Sequence, residues 1–241
     1  MLLTRPGPAS DRFWAACPAA MRARLKRFVS PLLRIEHHEP PDLTPYAGVI
    51  ITSANALPAL DRAGPGQVPV YCVGDATTQA ARQAGMTAHR RGEDAQTLIA
   101  ALVADAPKTP LLHLRGQHAR GDVAVRLTEA GIATDEVIVY DQPLQPLSDE
   151  ARAVLGDAQP VIVPLFSPRT AGQFRAETDR HGPWKSPLYL PCLSAAVRDA
   201  LGEAVPGTPI LADRPDAATM VAAVGRALNL ACRVERKSGP Q

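Results

Sequence analysis

Short apolar runs, each closing on a polar or glycine-containing turn and followed by an alanine-rich stretch, recur from one end of the chain to the other. That alternation is the mark of βα units, in which parallel strands form a sheet with helices on both faces. The runs predict strands at Leu2 to Thr4, Phe28 to Ile35, Gly48 to Thr52, Val68 to Val73, Thr87 to Arg90, Pro110 to Leu114, Glu136 to Tyr140, Pro160 to Phe166, Leu188 to Leu190 and Pro209 to Ala212. Helices are expected at Asn55 to Arg62, Ala76 to Ala84, Ala95 to Ala104, Ala119 to Ala130, Arg169 to Arg180, Ser194 to Glu203 and Ala217 to Asn229. A first helix lies within Ala9 to Arg27, where Pro18 interrupts it. Asp94 and Asp216 stand where N-caps belong, and Gly85 and Gly131 where C-caps belong.

The pattern is written twice. Leu2-Leu3-Thr4-Arg5-Pro6 returns as Leu111-Leu112-His113-Leu114-Arg115, and Ile50-Ile51-Thr52-Ser53-Ala54-Asn55-Ala56 is echoed by Pro164-Leu165-Phe166-Ser167-Pro168-Arg169-Thr170-Ala171. Val70 to Thr77 pairs with Leu188 to Ala195, and Asp94 to Leu102 with Asp216 to Val224. The offset grows from about 109 to 122, as short insertions in a duplicated unit would make it. A repeat of this size predicts two similar lobes with five strands per unit, and a ligand held between lobes is a natural use of them. The rhythm breaks at Arg34 to Pro45, which carries His37, His38, Pro40, Pro41 and Pro45, and at Asp141 to Ser148, which carries Pro143 and Pro146. Both stretches follow the second strand of their unit. Their proline density suits extended linkers, placed at 35–44 and 141–147, and the residues 231–241 are expected to form a mobile tail.

Composition narrows the classes. With 241 residues, 46% hydrophobic and 21% charged, the chain has ordinary globular usage, which excludes disordered and fibrous classes. It has no apolar run long enough to span a membrane and no signal-like N-terminus, so no membrane partner and a cytoplasmic location are expected. Cys17, Cys72, Cys192 and Cys232 lack metal or disulfide spacing and read as buried thiols; no metal is expected. Net charge is only +2, yet the lysines are just Lys26, Lys108, Lys185 and Lys237, so the positive charge is nearly all arginine. Arginine suits carboxylates and phosphates, although a high-GC coding bias would produce the same excess. Aromatics at 4% and the lack of a basic block argue against a nucleic-acid partner.

Thr52-Ser53-Ala54-Asn55 and Phe166-Ser167-Pro168-Arg169 put small hydroxyl residues between a strand and a helix, at the carboxyl edge of a parallel sheet where ligands bind. Free N–H groups at the helix starts suit an anion, and a plain N-cap role for Ser53 and Ser167 is the rival reading. Val73-Gly74-Asp75-Ala76-Thr77 repeats that logic, Gly74 permitting a tight turn and close backbone approach, with Pro191-Cys192-Leu193-Ser194 as its counterpart. No dinucleotide or P-loop fingerprint occurs. Arg115 with Gly116, and Arg5 as its duplicate, are candidate anion contacts or surface ion-pair residues. Tyr140 ends a strand beside a linker, where a phenol donates a proton to a bound group or simply packs. His37 and His38 read as solvated linker residues.

In their order along residues 2 to 228, Leu3-Thr4-Arg5-Pro6, Ile50 to Ala56, Val70 to Thr77, Val137 to Gln142, Phe166-Ser167-Pro168 and Leu193-Ser194-Ala195-Ala196 resemble the uroporphyrinogen-III synthase family. The resemblance implies two flavodoxin-like lobes of the α/β class, three-layered with parallel sheets, joined by a two-stranded linker. Their halves are swapped: residues 1–34 and 148–230 form lobe one and residues 45–140 lobe two. It also implies a monomer without cofactor that closes hydroxymethylbilane, with loss of water, to uroporphyrinogen III in tetrapyrrole biosynthesis. Thr52, Ser53, Thr77, Ser167 and Ser194 match hydroxyl positions lining the family's cleft, and Tyr140 matches its cleft tyrosine. Cys192 departs from a usual glycine and Ser194 from a usual threonine. The alternative is a two-lobed module that binds an anionic polycarboxylate without consuming it.

Overall fold

The computed structural model describes residues 1–64, 66, 68–118, 121–202 and 205–238. The chain divides into two compact units, Met1–Arg34 with Leu144–Gln241, and Ile35–Pro143. Among the described residues no helix is long and apolar enough to cross a membrane.

The discontinuous unit is built on a parallel pair, β1 (Leu2–Leu3) with β2 (Phe28–Val29), and a parallel sheet in which β10 (Leu188–Cys192) lies between β9 (Val161–Ile162) and β11 (Thr208–Leu211). Alternation along the strands sorts their side chains into two cores. Leu2, Val161, Val163, Leu188 and Leu190 join one cluster with Phe174, while Leu3, Ile162 and Tyr189 join another with Met220 and Val224. Residues from both ends of the chain therefore share each core.

Among the described residues, six helices cover this unit. The first helical region is two pieces, α1 (Gly7–Ala16) and α2 (Ala19–Arg22), because Pro18 lies between them as the N-cap of α2. The strand expected at Phe28 to Ile35 stops at Val29; Pro31 removes a backbone donor, and the Ser30 hydroxyl accepts the N–H of Ser148 instead.

The continuous unit is a six-stranded sheet in the order β3 (Glu36–His37), β8 (Thr134–Asp141), β7 (Leu111–Gly116), β4 (Gly48–Ile51), β5 (Val70–Cys72), β6 (Ala88–Arg90). Five strands are parallel and only β3 runs antiparallel, Glu36 facing Asp141 and His37 facing Tyr140. His37 thus lies in a short edge strand within the stretch read as an extended linker. Val49, Ile51, Leu112 and Leu114 face one core, while Ile50 and Leu111 face the other with Leu98, Leu102 and Leu127. The covering helices are α3 (Leu57–Ala63), preceded by a 3₁₀ turn at Ala54–Ala56, then α4 (Gly74–Gln83), α5 (Ala95–Asp105) and α6 (Val123–Glu129). Asp94 caps α5 through a reciprocal box with Thr97, whose N–H it accepts at 2.8 Å. Ala119, at the start of the helix expected at Ala119 to Ala130, lies outside the described residues, as does Glu203.

Two further elements of the discontinuous unit differ from the sequence pattern. Helix α7 (Asp149–Gly156) has no counterpart in it; Ser148 caps this helix by accepting the Ala151 N–H, with Asp149 and Glu150 in the first turn. The last helix, α10 (Ala217–Ser238), extends past Asn229 into the expected tail because buried Ala231 and half-buried Cys232 still pack on the core. Residues 239–241 lie outside the described residues. The remaining helices are α8 (Pro168–His181) and α9 (Ala195–Leu201).

Candidate functional site

In the continuous unit the parallel strands deliver their candidate residues to one sheet edge. Thr52 and Ser53 follow β4, Gly74 follows β5, Arg115 and Gly116 end β7, and Tyr140 lies at the end of β8. Ser53 takes an extended conformation and its hydroxyl accepts the Asn55 N–H at 3.3 Å, which turns Ala54 and Asn55 into the 3₁₀ turn. The cap reading of Ser53 is therefore realised. Thr52 stays half-exposed above the buried strand Gly48–Ile51.

Gly74 opens α4 with φ of +71°, a left-handed conformation that disfavours any side chain. No protein atom lies within 4 Å of where its Cβ would be, so among its protein neighbours it is the turn that requires glycine here. Its N–H donates to the Gly92 carbonyl at 2.8 Å. Thr77 lies buried within the same helix.

Arg115 donates to Glu136 across the β7–β8 ladder at 2.7 Å and to the Gly116 carbonyl at 3.1 Å. Its charge already has a carboxylate partner, and that hydrogen bond holds Glu136 below the usual carboxylate range. At Gly116 the β7–β8 register shifts, and a Cβ there would fall 2.5 Å from Tyr140 Cζ. The Tyr140 ring is buried in the core of Val139 and Leu114. Among the described residues its hydroxyl has no hydrogen-bond partner, yet it is not one of the buried unpaired atoms: the ring packs while the O–H keeps access to solvent.

The discontinuous unit gathers Arg5, Ser167, Pro168 and Ser194. Arg5 follows β1, and its guanidinium lies 4.4 Å from the centroid of the Phe166 ring, which itself meets Phe13 edge-on at 4.9 Å. Burial, and then the neighbouring Arg12, lower the Arg5 pKa, and among the described residues no carboxylate pairs with it. A stacked, partly desolvated and unneutralised arginine is well suited to an arriving carboxylate.

Ser167 caps α8 by accepting the Thr170 N–H at 3.2 Å, and Pro168 occupies the first helical position, where no N–H is required. Ser194 holds the N-cap position of α9 yet makes no side-chain cap bond. Its hydroxyl is unengaged among the described residues.

The expected equivalence of Cys192 and Gly74 does not hold. The buried run Leu188–Cys192 carries β10 to Cys192, whose thiol sits in the core and donates to the Leu190 carbonyl at 3.2 Å, so the turn comes at Leu193 and Ser194. Burial pushes that thiol, and that of Cys72, up to about 11.

Pattern reading passes over His113. It is fully buried in β7, and burial lowers its pKa to about 4. The available signal is a single polar residue inside the apolar run Leu111-Leu112-His113-Leu114. Among the described residues no three His, Cys, Asp or Glu side chains gather as metal ligands.

A family model described as uroporphyrinogen-III synthase HemD matches residues 22–222. Curated proteins give no significant match. Among solved structures, the uroporphyrinogen-III synthetase of Helicobacter pylori 26695 aligns with a TM-score of 0.63 at 18% identity, covering 85% of this chain and 93% of that one. A mutant uroporphyrinogen III synthase of Thermus thermophilus aligns at 0.51 and 12% identity, covering 95% of this chain and 98% of the other.

Proposed function

Because the chain belongs to the uroporphyrinogen-III synthase family, we propose that it is a cofactor-independent hydro-lyase of tetrapyrrole biosynthesis, acting as a cytoplasmic monomer on hydroxymethylbilane. The observation that carries this reading is the family match over residues 22–222.

In the proposed reaction the bilane loses its hydroxyl as water to give an azafulvene cation. The substituted carbon of ring D attacks it, forming a spiro intermediate that fragments and recloses with ring D inverted. Little bond chemistry is asked of the protein beyond assisting departure of the hydroxyl; most of the task is holding a flexible polycarboxylate in one geometry.

Tyr140 is assigned to protonate the leaving hydroxyl: its own O–H has no protein partner to be taken from among the described residues. Arg5 is assigned to a substrate carboxylate. Ser194, Thr52 and the helix start at Gly74 supply neutral donors, with Ser53, Ala54, Asn55, Thr77, Ser167 and Pro168 shaping the turns around them. Arg115 and Gly116 are assigned through Glu136 and Tyr140, which they hold, rather than as direct contacts. Purified protein given hydroxymethylbilane should release the type III isomer; release of type I alone would overturn the assignment. Binding of the bilane without turnover would instead favour the non-catalytic polycarboxylate module.

A further inference from the structure

His113 makes a contact that no step above uses. It faces Ile50 of β4 and Glu136 of β8 in register, on the sheet face covered by α5 and α6. The strand period puts Thr52 on that same face, two residues beyond Ile50. His113 Nε2 lies 3.5 Å from Thr52 Oγ1, and Nδ1 is buried with no partner among the described residues. Thr52 Oγ1 makes no other hydrogen bond among them. The charged groups facing the ring are Glu136, held by Arg115, and Arg115 itself.

A neutral imidazole carries its proton on one nitrogen only. If Nδ1 held it, a buried N–H would have no acceptor, and orphaned buried N–H groups are rarer than under-satisfied acceptors. The proton therefore belongs on Nε2, the nitrogen that has a partner. We propose that His113 is a positioning residue: its Nε2–H donates to Thr52 Oγ1, so that the Thr52 hydroxyl must donate its own proton outward, to a carboxylate of the bound polycarboxylate. An unprotonated Nε2 would compete with that carboxylate for the hydroxyl's proton; a protonated Nε2 removes the competitor and leaves the proton for the substrate. This assignment rests on the substrate class proposed above.

The tautomer is tested without activity. In protein labelled with ¹⁵N-histidine at pH 7, long-range ¹H–¹⁵N spectra should show a pyrrole-type Nε2 and a pyridine-type Nδ1 for His113, identified by its loss in His113→Gln. A pyrrole-type Nδ1, or an imidazolium, would overturn the proposal. Kinetics test the consequence: Thr52→Val and His113→Phe should each raise KM about tenfold with little change in kcat, as expected for one hydrogen bond to a charged group. His113→Gln, whose amide still donates, should recover much of the loss, and the double variant should be no worse than Thr52→Val. Additive losses would overturn the coupling. If no type III product forms at all, the synthase reading fails, while the spectra still decide the tautomer.

Discussion

The ring of Tyr140 occupies the space that a side chain on Gly116 would need: a Cβ there would lie 2.5 Å from Cζ, 2.6 Å from Cε2 and 2.9 Å from the hydroxyl oxygen. The glycine and the phenol are therefore one device, brought together where the β7–β8 register shifts. Gly116→Ala should push the ring out of place, costing about 1–3 kcal/mol as overpacking does. Its turnover should fall together with that of Tyr140→Phe. Denaturant melts and single-turnover rates check both, and a Gly116→Ala enzyme of normal rate would separate the two residues.

Tyr140→Phe keeps the ring packing and removes only a hydroxyl that bonds to nothing among the described residues. Stability should change by less than about 1 kcal/mol. Turnover should drop roughly 10²- to 10⁴-fold, the range of a lost general acid. Equal kcat in the two proteins would remove Tyr140 from the chemistry.

Arg5→Met retains a stem to cover Phe166 but removes a cation that burial and Arg12 both disfavour. Folding stability should hold or rise slightly. KM for the bilane should increase about tenfold, with a weaker dependence on salt. A KM that does not move would show that Arg5 faces no substrate carboxylate.

Two of the serines that precede helices, Ser167 and Ser194, should behave differently. Ser167→Ala removes a cap bond and should cost about 1 kcal/mol in a thermal melt. Ser194→Ala removes no cap bond, so its stability should stay near wild type while KM rises. Equal melting losses would contradict the geometry.

Acid should destabilise the protein through His113. Its pKa is near 6.5 in the unfolded chain and about 4 when folded, so the unfolded state binds the extra proton between those values. Nothing is lost above pH 6.5, and the loss grows as pH falls to 4, reaching roughly 3 kcal/mol. Urea titrations at about pH 7 and pH 5, on either side of the unfolded value, should show this, and His113→Phe should flatten it.

Much of the fold was legible because it rests on local rules. The apolar runs around Ile50-Ile51 and Leu111-Leu112 mark buried strands, and Asp94 marks a helix start by chemistry that needs no tertiary partner. What escaped depends on partners distant in sequence. Glu36–His37 is polar and becomes a strand only because β8 offers an edge. Arg115 reads as a free anion contact until Glu136 is placed beside it on the next strand. Cys192 aligns with Gly74 in sequence, but the core takes its thiol and moves the turn onward. His113 was hidden within an apolar run, its meaning supplied by Thr52 on another strand.

The division of the chain into one continuous and one discontinuous unit bears on how the molecule is made. As the chain leaves the ribosome, Leu2, Leu3 and Phe13 appear early, yet their core partners Val163, Phe174, Leu190 and Met220 are synthesised last. Residues 35–143 meanwhile hold every strand of their own sheet and can fold first. For most of translation, then, the N-terminal strand is an apolar segment without a shelter, and a nascent chain stalled near Pro143 should be the form most open to chaperone capture and aggregation.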